Sequence, residues 1–256
     1  MATTKKVTRV SGTDSAPEQV TRTQVIKPED KAKAKQLRMI AGILWVLAIG
    51  AQVGAISLLF KVPINMMWII ILIAVDLVLV IIGSILWKKS NRLDPASKKD
   101  KVKFFIQSQL GMVTAIIAFL PLIVFILTSK NLDGKQKGIL GGIAGAALLL
   151  AGLIGADFNP PSIEEYTEQT NRVEWLTGSN EVCWTKSGTR YHLYQGCSHI
   201  NTDRTDEIFV GTVAEARELK KITELCKTCE NKAIKERGLN EADYKPAATP
   251  IPEIEE

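Results

Sequence analysis

The chain has 256 residues and a net charge of +5, but the charge is segregated: residues 1–38 carry 9 basic and 4 acidic side chains, residues 39–161 carry 11 and 5, and residues 162–256 carry 12 and 18. Its apolar residues, 46% of the chain, fall mostly into four blocks between residues 39 and 156, which excludes an ordinary soluble domain with amphipathic faces throughout. The acidic C-terminal third makes nucleic acid an unfavourable partner, since phosphate backbones demand a local excess of Lys and Arg.

Residues 1–28 are rich in Thr, Lys, Ser and Val without an apolar period and read as disordered. They lack the apolar core of a cleavable signal peptide, so the first apolar block is expected to act as an uncleaved signal anchor. Pro28-Glu29-Asp30 opens a Lys/Ala-rich segment to Arg38, a helical lead-in whose basic side chains sit at headgroup level. Span one, Met39 to Phe60, has no charged residue; a short turn from Lys61 to Asn65 follows. Span two, Met66 to Trp87, is interrupted only by Asp76. A strongly basic loop, Lys88 to Lys103, leads to span three, Phe104 to Thr128, which contains Gln107, Gln109 and Pro121. The loop Ser129 to Lys137 precedes span four, Ile139 to Ala156. At about 1.5 Å per residue that span reaches roughly 27 Å, just enough to cross a bilayer.

Lys and Arg near the span ends set the orientation. The N-terminal flank and the loop after span two are the most basic and are expected to stay inside, so four spans place both termini in the cytoplasm of a plasma-membrane protein. Trp45, Trp68 and Trp87 are consistent with interfacial anchoring. In span four, Gly138 and Gly142, Gly141 and Gly145, and Gly152 and Ala156 present small-residue faces. These suit packing within the bundle first and a homo-oligomer contact second.

Pro160-Pro161 ends the last span, and the linker 157–180 follows. Ser162 with Glu165 makes a capping box opening a short helix toward Leu176, broken by Gly178 and Asn180. Residues 181–237 read as a small α+β domain, and the Pro- and Glu-containing tail 238–256 reads as disordered. Within the domain, residues 182–186 and 189–194 read as strands joined at Ser187-Gly188, and 208–210 as a further strand. Thr212 with Glu215 opens a helix to about Lys221, and a second helix runs from the Cys226-Lys227-Thr228-Cys229 turn through Arg237.

The cysteines carry the chemistry. Cys226 and Cys229 have the two-residue gap that points two sulfurs at one ion, and Cys197, just beyond Gly196, supplies a third. The fourth ligand is one of the two histidines, His192 or His199. Three thiolates and an imidazole complete a tetrahedral shell with no open position, and zinc is the default ion. A unit of about 55 residues has too little core to be comfortable without such a staple. Cys183, flanked by Val182 and Trp184, reads as a small core side chain outside the set. A disulfide framework is disfavoured by the expected cytoplasmic side.

The run Trp184-Thr185-Lys186-Ser187-Gly188-Thr189-Arg190-Tyr191-His192, then Cys197, then Ala214-Glu215-Ala216, then Cys226 and Cys229 resembles the small metal-binding domain related to the N-terminal zinc domain of the Ada DNA-repair protein. Such domains also occur as C-terminal appendages on nucleases and membrane proteins. The resemblance covers about a fifth of the chain and implies a zinc-ribbon-like fold with His192, Cys197, Cys226 and Cys229 as ligands. The repair domain uses four cysteines, one of them a methyl acceptor; here a histidine stands first and the His–Cys gap is four residues. With the acidity of the region, this argues against alkyl transfer and DNA binding. The four-span region resembles no family in the same way.

Asp76 is the one ionisable residue well inside a span and needs a partner, a proton or water. Gln52, Gln107 and Gln109 are its candidate neighbours. No Ser-His-Asp set, phosphate loop or paired-carboxylate motif stands out, so no enzyme is expected. The sequence therefore reads as a four-helix transmembrane α-bundle plus a small zinc-ribbon-like soluble domain, an interaction or sensing module in contact with membrane lipid and a protein partner or second copy. The alternatives are a small channel or transporter using Asp76 and gated by the domain, and an Ada-type zinc-thiolate alkyl acceptor.

Overall fold

The structure, a computed structural model, describes residues 5–10, 26, 28–220 and 222–245. It divides into two compact units, Pro28–Pro161 and a second built from Ser162–Glu256 together with Met1–Lys27.

The first unit is four helices, α1 (Pro28–Leu58), α2 (Met66–Leu93), α3 (Lys101–Thr128) and α4 (Gly134–Gly155), all long and apolar enough to cross a membrane. Three begin at side-chain caps in the polar loops. Asn65 accepts from the Trp68 N–H, Asp100 from that of Lys103, and Asp133 forms a reciprocal capping box with Gln136. The caps at Asp100 and Asp133 explain why α3 and α4 start three and five residues before the apolar blocks at Phe104 and Ile139. The lead-in segment is continuous with span one, and Pro28 occupies a first-turn position where its missing N–H costs nothing.

Large apolar side chains such as Val46, Leu149 and Leu153 point outward, while Ala48, Ile73, Phe119, Leu122 and Leu140 pack inside. A soluble bundle would not leave so much apolar surface uncovered. Trp45 is 8% exposed and turned into the bundle against Gly83, so it packs in the interior instead of anchoring at an interface. Trp68 remains 57% exposed.

Two devices hold the helices together. Pro121 lacks the N–H that would have met the Ile117 carbonyl one turn earlier. Gln52 of α1 reaches across and donates its Nε2 to that carbonyl at 3.1 Å. The backbones of α3 and α4 also approach closely, and a Cβ at Gly155 would lie 2.6 Å from the backbone carbon of Gly111. The small faces expected along span four are used differently. Gly138, Gly142, Gly145 and Gly152 have nothing within 4 Å of an added Cβ, and Gly141 makes only ordinary contact with Leu127.

The second unit contains β1 (Lys6–Arg9), α5 (Ile163–Thr177), β2 (Glu181–Thr185), β3 (Arg190–Tyr191), β4 (Glu207–Thr212), α6 (Val213–Lys220), β5 (Glu224–Leu225) and α7 (Lys227–Arg237). A three-stranded sheet has the order β1-β4-β2, with β1 parallel and β2 antiparallel to β4; β3 pairs parallel with β5. One of the two expected capping boxes forms in full, with Thr212 and Glu215 capping each other; at the other, Ser162 accepts from the Glu165 N–H while the Glu165 carboxylate accepts from Gln169 instead. The return strand expected over 189–194 shrinks to two residues plus a single bridge between Cys183 and His192.

Two expectations of disorder are corrected. Within residues 1–28, Lys6–Arg9 form β1 along β4, tied further by Thr8 Oγ1 donating to Glu207 and by an Arg9–Glu181 ion pair. Residues 239–245 of the expected tail fold back onto α5: Tyr244 donates to Glu168 at 2.7 Å and lies with Trp175 around Arg172. Arg172 in turn pairs with Glu230 on α7 and with Glu241. The rest of both segments lies outside the described residues, apart from Lys5, Val10, Ile26, Pro28 and Gly238, the last capping α7.

Substituting Gln52 by Leu strands the Ile117 carbonyl and is expected to cost ~0.5–2 kcal/mol, read as earlier unfolding in detergent titration. Gly155→Val should be worse, forcing α3 and α4 apart, while Gly142→Val, in open space, should leave the same titration unmoved.

Candidate metal centre

The local fold brings His192, Cys197, Cys226 and Cys229 together from two segments of chain. β3 is the pivot. On one side His192 exchanges two backbone hydrogen bonds with Cys183 of β2, both 2.7 Å; on the other the Cys226 N–H donates to the Tyr191 carbonyl at 2.9 Å. His192 and Cys226 thus hang from adjacent residues of one short strand. Cys197 follows in a turn, its N–H donating to the Tyr194 carbonyl at 3.1 Å. Cys229 lies in the first turn of α7.

The four ligand atoms all lie within 4.8 Å of one another, and all four residues are buried. Cys197 Sγ and Cys226 Sγ are 4.0 Å apart, and Cys229 Sγ is 3.7 Å from His192 Nδ1. A tetrahedral ion with metal–sulfur bonds of about 2.3 Å and metal–nitrogen bonds of about 2.0–2.1 Å has ligand–ligand edges of roughly 3.5–3.8 Å. The cluster can hold a metal ion at close to that size.

The electrostatics fit the same use. Burial, reinforced by His199 and Arg190, pulls the His192 imidazole down to about 4, so it is neutral and able to ligate at pH 7. Burial opposes ionisation of Cys226. The N–H groups of Cys229 and Thr228 and the neighbouring thiols outweigh it and bring this thiol below its ordinary value. Cys229 is pushed up to about 12 by burial, although the N–H groups of Leu193 and Tyr194 are directed at its sulfur. A cation between the sulfurs would relieve that penalty.

His199 is not in the cluster: its Nε2 sits 3.1 Å from Thr228 Oγ1 at the surface. Cys183 is also outside, a core thiol whose Sγ faces the His192 carbonyl at 3.3 Å and packs with Ile208 and Val210. The amide groups around the sulfurs and the Arg172 strut to Glu230, next to Cys229, escaped the sequence reading. The first could have been inferred from a Cys-x-x-Cys pair opening a helix; the second had no local signal. A cleft of about 410 Å³ borders the cluster, lined by Thr185, Arg190, His192, His199, Cys226 and Thr228 among others.

Asp76 belongs to the helical unit. It is 1% exposed, and neither carboxylate oxygen meets a protein hydrogen-bond partner. The three glutamines named as its neighbours are engaged elsewhere: Gln52 with the Ile117 carbonyl, Gln107 with that of Asp94, and Gln109 with the backbone of Asp157.

No family model matches the chain, and neither curated proteins nor solved structures provide a match.

Metal content of the purified full chain should be one ion per chain, retained in His199→Ala and Cys183→Ala and lost in His192→Ala. Retention in His192→Ala with loss in His199→Ala would reverse the ligand assignment. Acidification separates the ligands too. His192 stays neutral down to about 4, so between pH 7 and 5 the thiols alone take up protons. With Cys229 pushed up to about 12, affinity should still be rising at pH 7 and should fall below it roughly tenfold per pH unit for each proton taken up, as followed by competition with a chromophoric chelator. A flat profile would rule out thiolate ligation.

Proposed function

We propose that this is an integral membrane protein whose soluble unit is stapled by a structural zinc ion and serves as an interaction or sensing module at the cytoplasmic face of the plasma membrane. The observation that carries this reading is the closed ligand set. All four ligand atoms are mutually close and all four side chains are buried. Sites with an open fourth position do catalysis; filled Cys₃His shells hold folds together. Zinc is favoured over other ions by three sulfurs with one imidazole at tetrahedral spacing. The Ada-like resemblance, carried by residues 184–192 and the ligand spacing, supports the same conclusion.

Sidedness has two supports. An even number of spans returns the chain to its starting side, and β1 near the N-terminus pairs with β4 of the soluble unit, which requires both to share a compartment. The basic flank and the Lys88 to Lys103 loop favour the cytoplasm as that compartment. The polar cleft beside the cluster, with Arg190, His199 and Thr228 on its wall, is the natural surface for a protein partner.

An alkyl acceptor needs a thiolate that the donor can reach. Cys197, Cys226 and Cys229 are 8%, 4% and 1% exposed, so the enzyme reading is not favoured. The test uses the full chain in lipid nanodiscs. Chelation should remove one zinc and abolish the cooperative unfolding of the soluble unit, whereas exposure to a methyl donor should add no mass to any ligand cysteine. A metal-free chain that unfolds cooperatively at the same temperature would overturn the structural assignment. A single methyl on Cys197, Cys226 or Cys229 would move the reading to the repair class.

A further inference from the structure

The interior of the helical unit is unevenly polar, and Asp76 stands at the boundary. Its surroundings follow from two contacts. Trp45 of α1 packs on Gly83 of α2, where an added Cβ would meet Trp45 Nε1 at 2.5 Å. Gly111 of α3 packs on both Ser84 of α2 and Gly155 of α4, with an added Cβ 3.0 Å from Ser84 Oγ and 2.8 Å from the Gly155 carbonyl oxygen. Successive helices are antiparallel. Moving two turns, seven or eight residues, from these contacts brings Gln52, Asp76, Phe119 and Ala147 to one level, about 11 Å deeper into the bundle.

That level offers Asp76 little. The Gln52 amide nitrogen is committed to the Ile117 carbonyl, and the Phe119 and Ala147 side chains have no polar atom. A metal cation would need several oxygen ligands, and an ionised carboxylate with no partner is costly in a bilayer. The ligand class that fits is a proton.

The other buried side-chain atoms of this unit that have no protein partner are Arg38 Nε, Trp45 Nε1, Ser84 Oγ, Asn91 Oδ1 and Asp157 Oδ2. All lie between Asp76 and the end of the bundle where α2 meets α3. Asp76, Ser84 and Asn91, spaced by eight and seven residues, share one face of α2. Buried polar groups without protein partners are met by internal water. Toward the opposite end the buried side chains are Ala55, Leu59, Ile69, Ile73, Leu122, Ile126, Leu132, Leu140 and Ala144, all apolar.

We propose that Asp76 is a proton-binding site in the middle of the bundle, reached by water from the end that carries the α2–α3 loop and closed from the other by an apolar plug. The arrangement is a one-sided well, not a pore. It rests on the four helices lying in a bilayer and is independent of the metal centre.

The test begins with native membranes washed in alkaline carbonate, where loss of the chain would refute the membrane reading itself. On the retained full chain, dicyclohexylcarbodiimide, which adds to protonated carboxyls in apolar surroundings, should give one adduct mapped to Asp76 and none in Asp76→Asn. In the same membranes a small water-soluble thiosulfonate should modify Ser84→Cys and leave Ile73→Cys untouched, as read by peptide mapping against the four native cysteines. No adduct at Asp76 overturns the proton site. An inert Ser84→Cys, or an Ile73→Cys that reacts equally, overturns the one-sided access.

Discussion

Everything in the soluble unit hangs on a strand two residues long. β3 consists of Arg190 and Tyr191, yet it fixes both halves of the metal cluster, through the His192–Cys183 bridge on one side and the Tyr191–Cys226 hydrogen bond on the other. A strand this short is not stable on its own pairing. It persists because Tyr191 is buried against Val173, Trp184 and Val213, and because the ligands that follow it converge. The apolar core and the cluster are therefore a single support, since the turn between His192 and Cys197 closes two members of the cluster onto the strand that the core holds.

The same unit shows how a small domain lowers its demand for apolar core. Gly211 is flush against Trp184 and Glu215; a Cβ there would lie 2.9 Å from the indole and 2.5 Å from a carboxylate oxygen. The Glu215 carboxylate caps α6 at the place where β4 turns into it. Arg172 spans α5, α7 and the segment after it through two carboxylates and two aromatic faces. Each device is polar and directional, and each pins an element bordering the cluster. Cap and cation–aromatic stack together replace part of the core that a unit of this length cannot build.

Local signals made much of this legible. Four apolar blocks announced four helices, since nothing else leaves long uncharged runs. Caps at Ser162 and Thr212 announced α5 and α6, because side chain and backbone pair within four residues. The ligand cysteines and His192 were visible as residue types at characteristic gaps. What was not visible is set by partners far along the chain. β1 is four mostly exposed residues with no pattern of its own, and its strand character comes from β4, some 200 positions away. Tyr244 looked like tail because its partners Glu168 and Trp175 are on α5. The small faces of span four misdirected for a related reason. Glycine spacing marks where helices can approach, but the close approach at Gly155 was chosen by Gly111 on another helix.

β1 adds a constraint that connectivity alone does not. The soluble unit follows α4 after only seven residues, 156–162, while β1 is joined to α1 through residues 10–27. Closing this second connection costs loop entropy that grows only slowly with length, and it is offset by the backbone pairing of Lys6–Arg9 along β4 and the ion pairs of Lys6 and Arg9. The consequence is topological. For β1 and β4 to meet within one molecule, the chain between them must cross a bilayer an even number of times, and four helices long and apolar enough to cross are compatible with that. An edge that would otherwise be an open template for foreign strands is covered by the protein's own N-terminal segment. On the other side of the unit, the polar cleft beside His192 and Cys226 stays open, and its wall includes two of the four residues that could hold a metal ion.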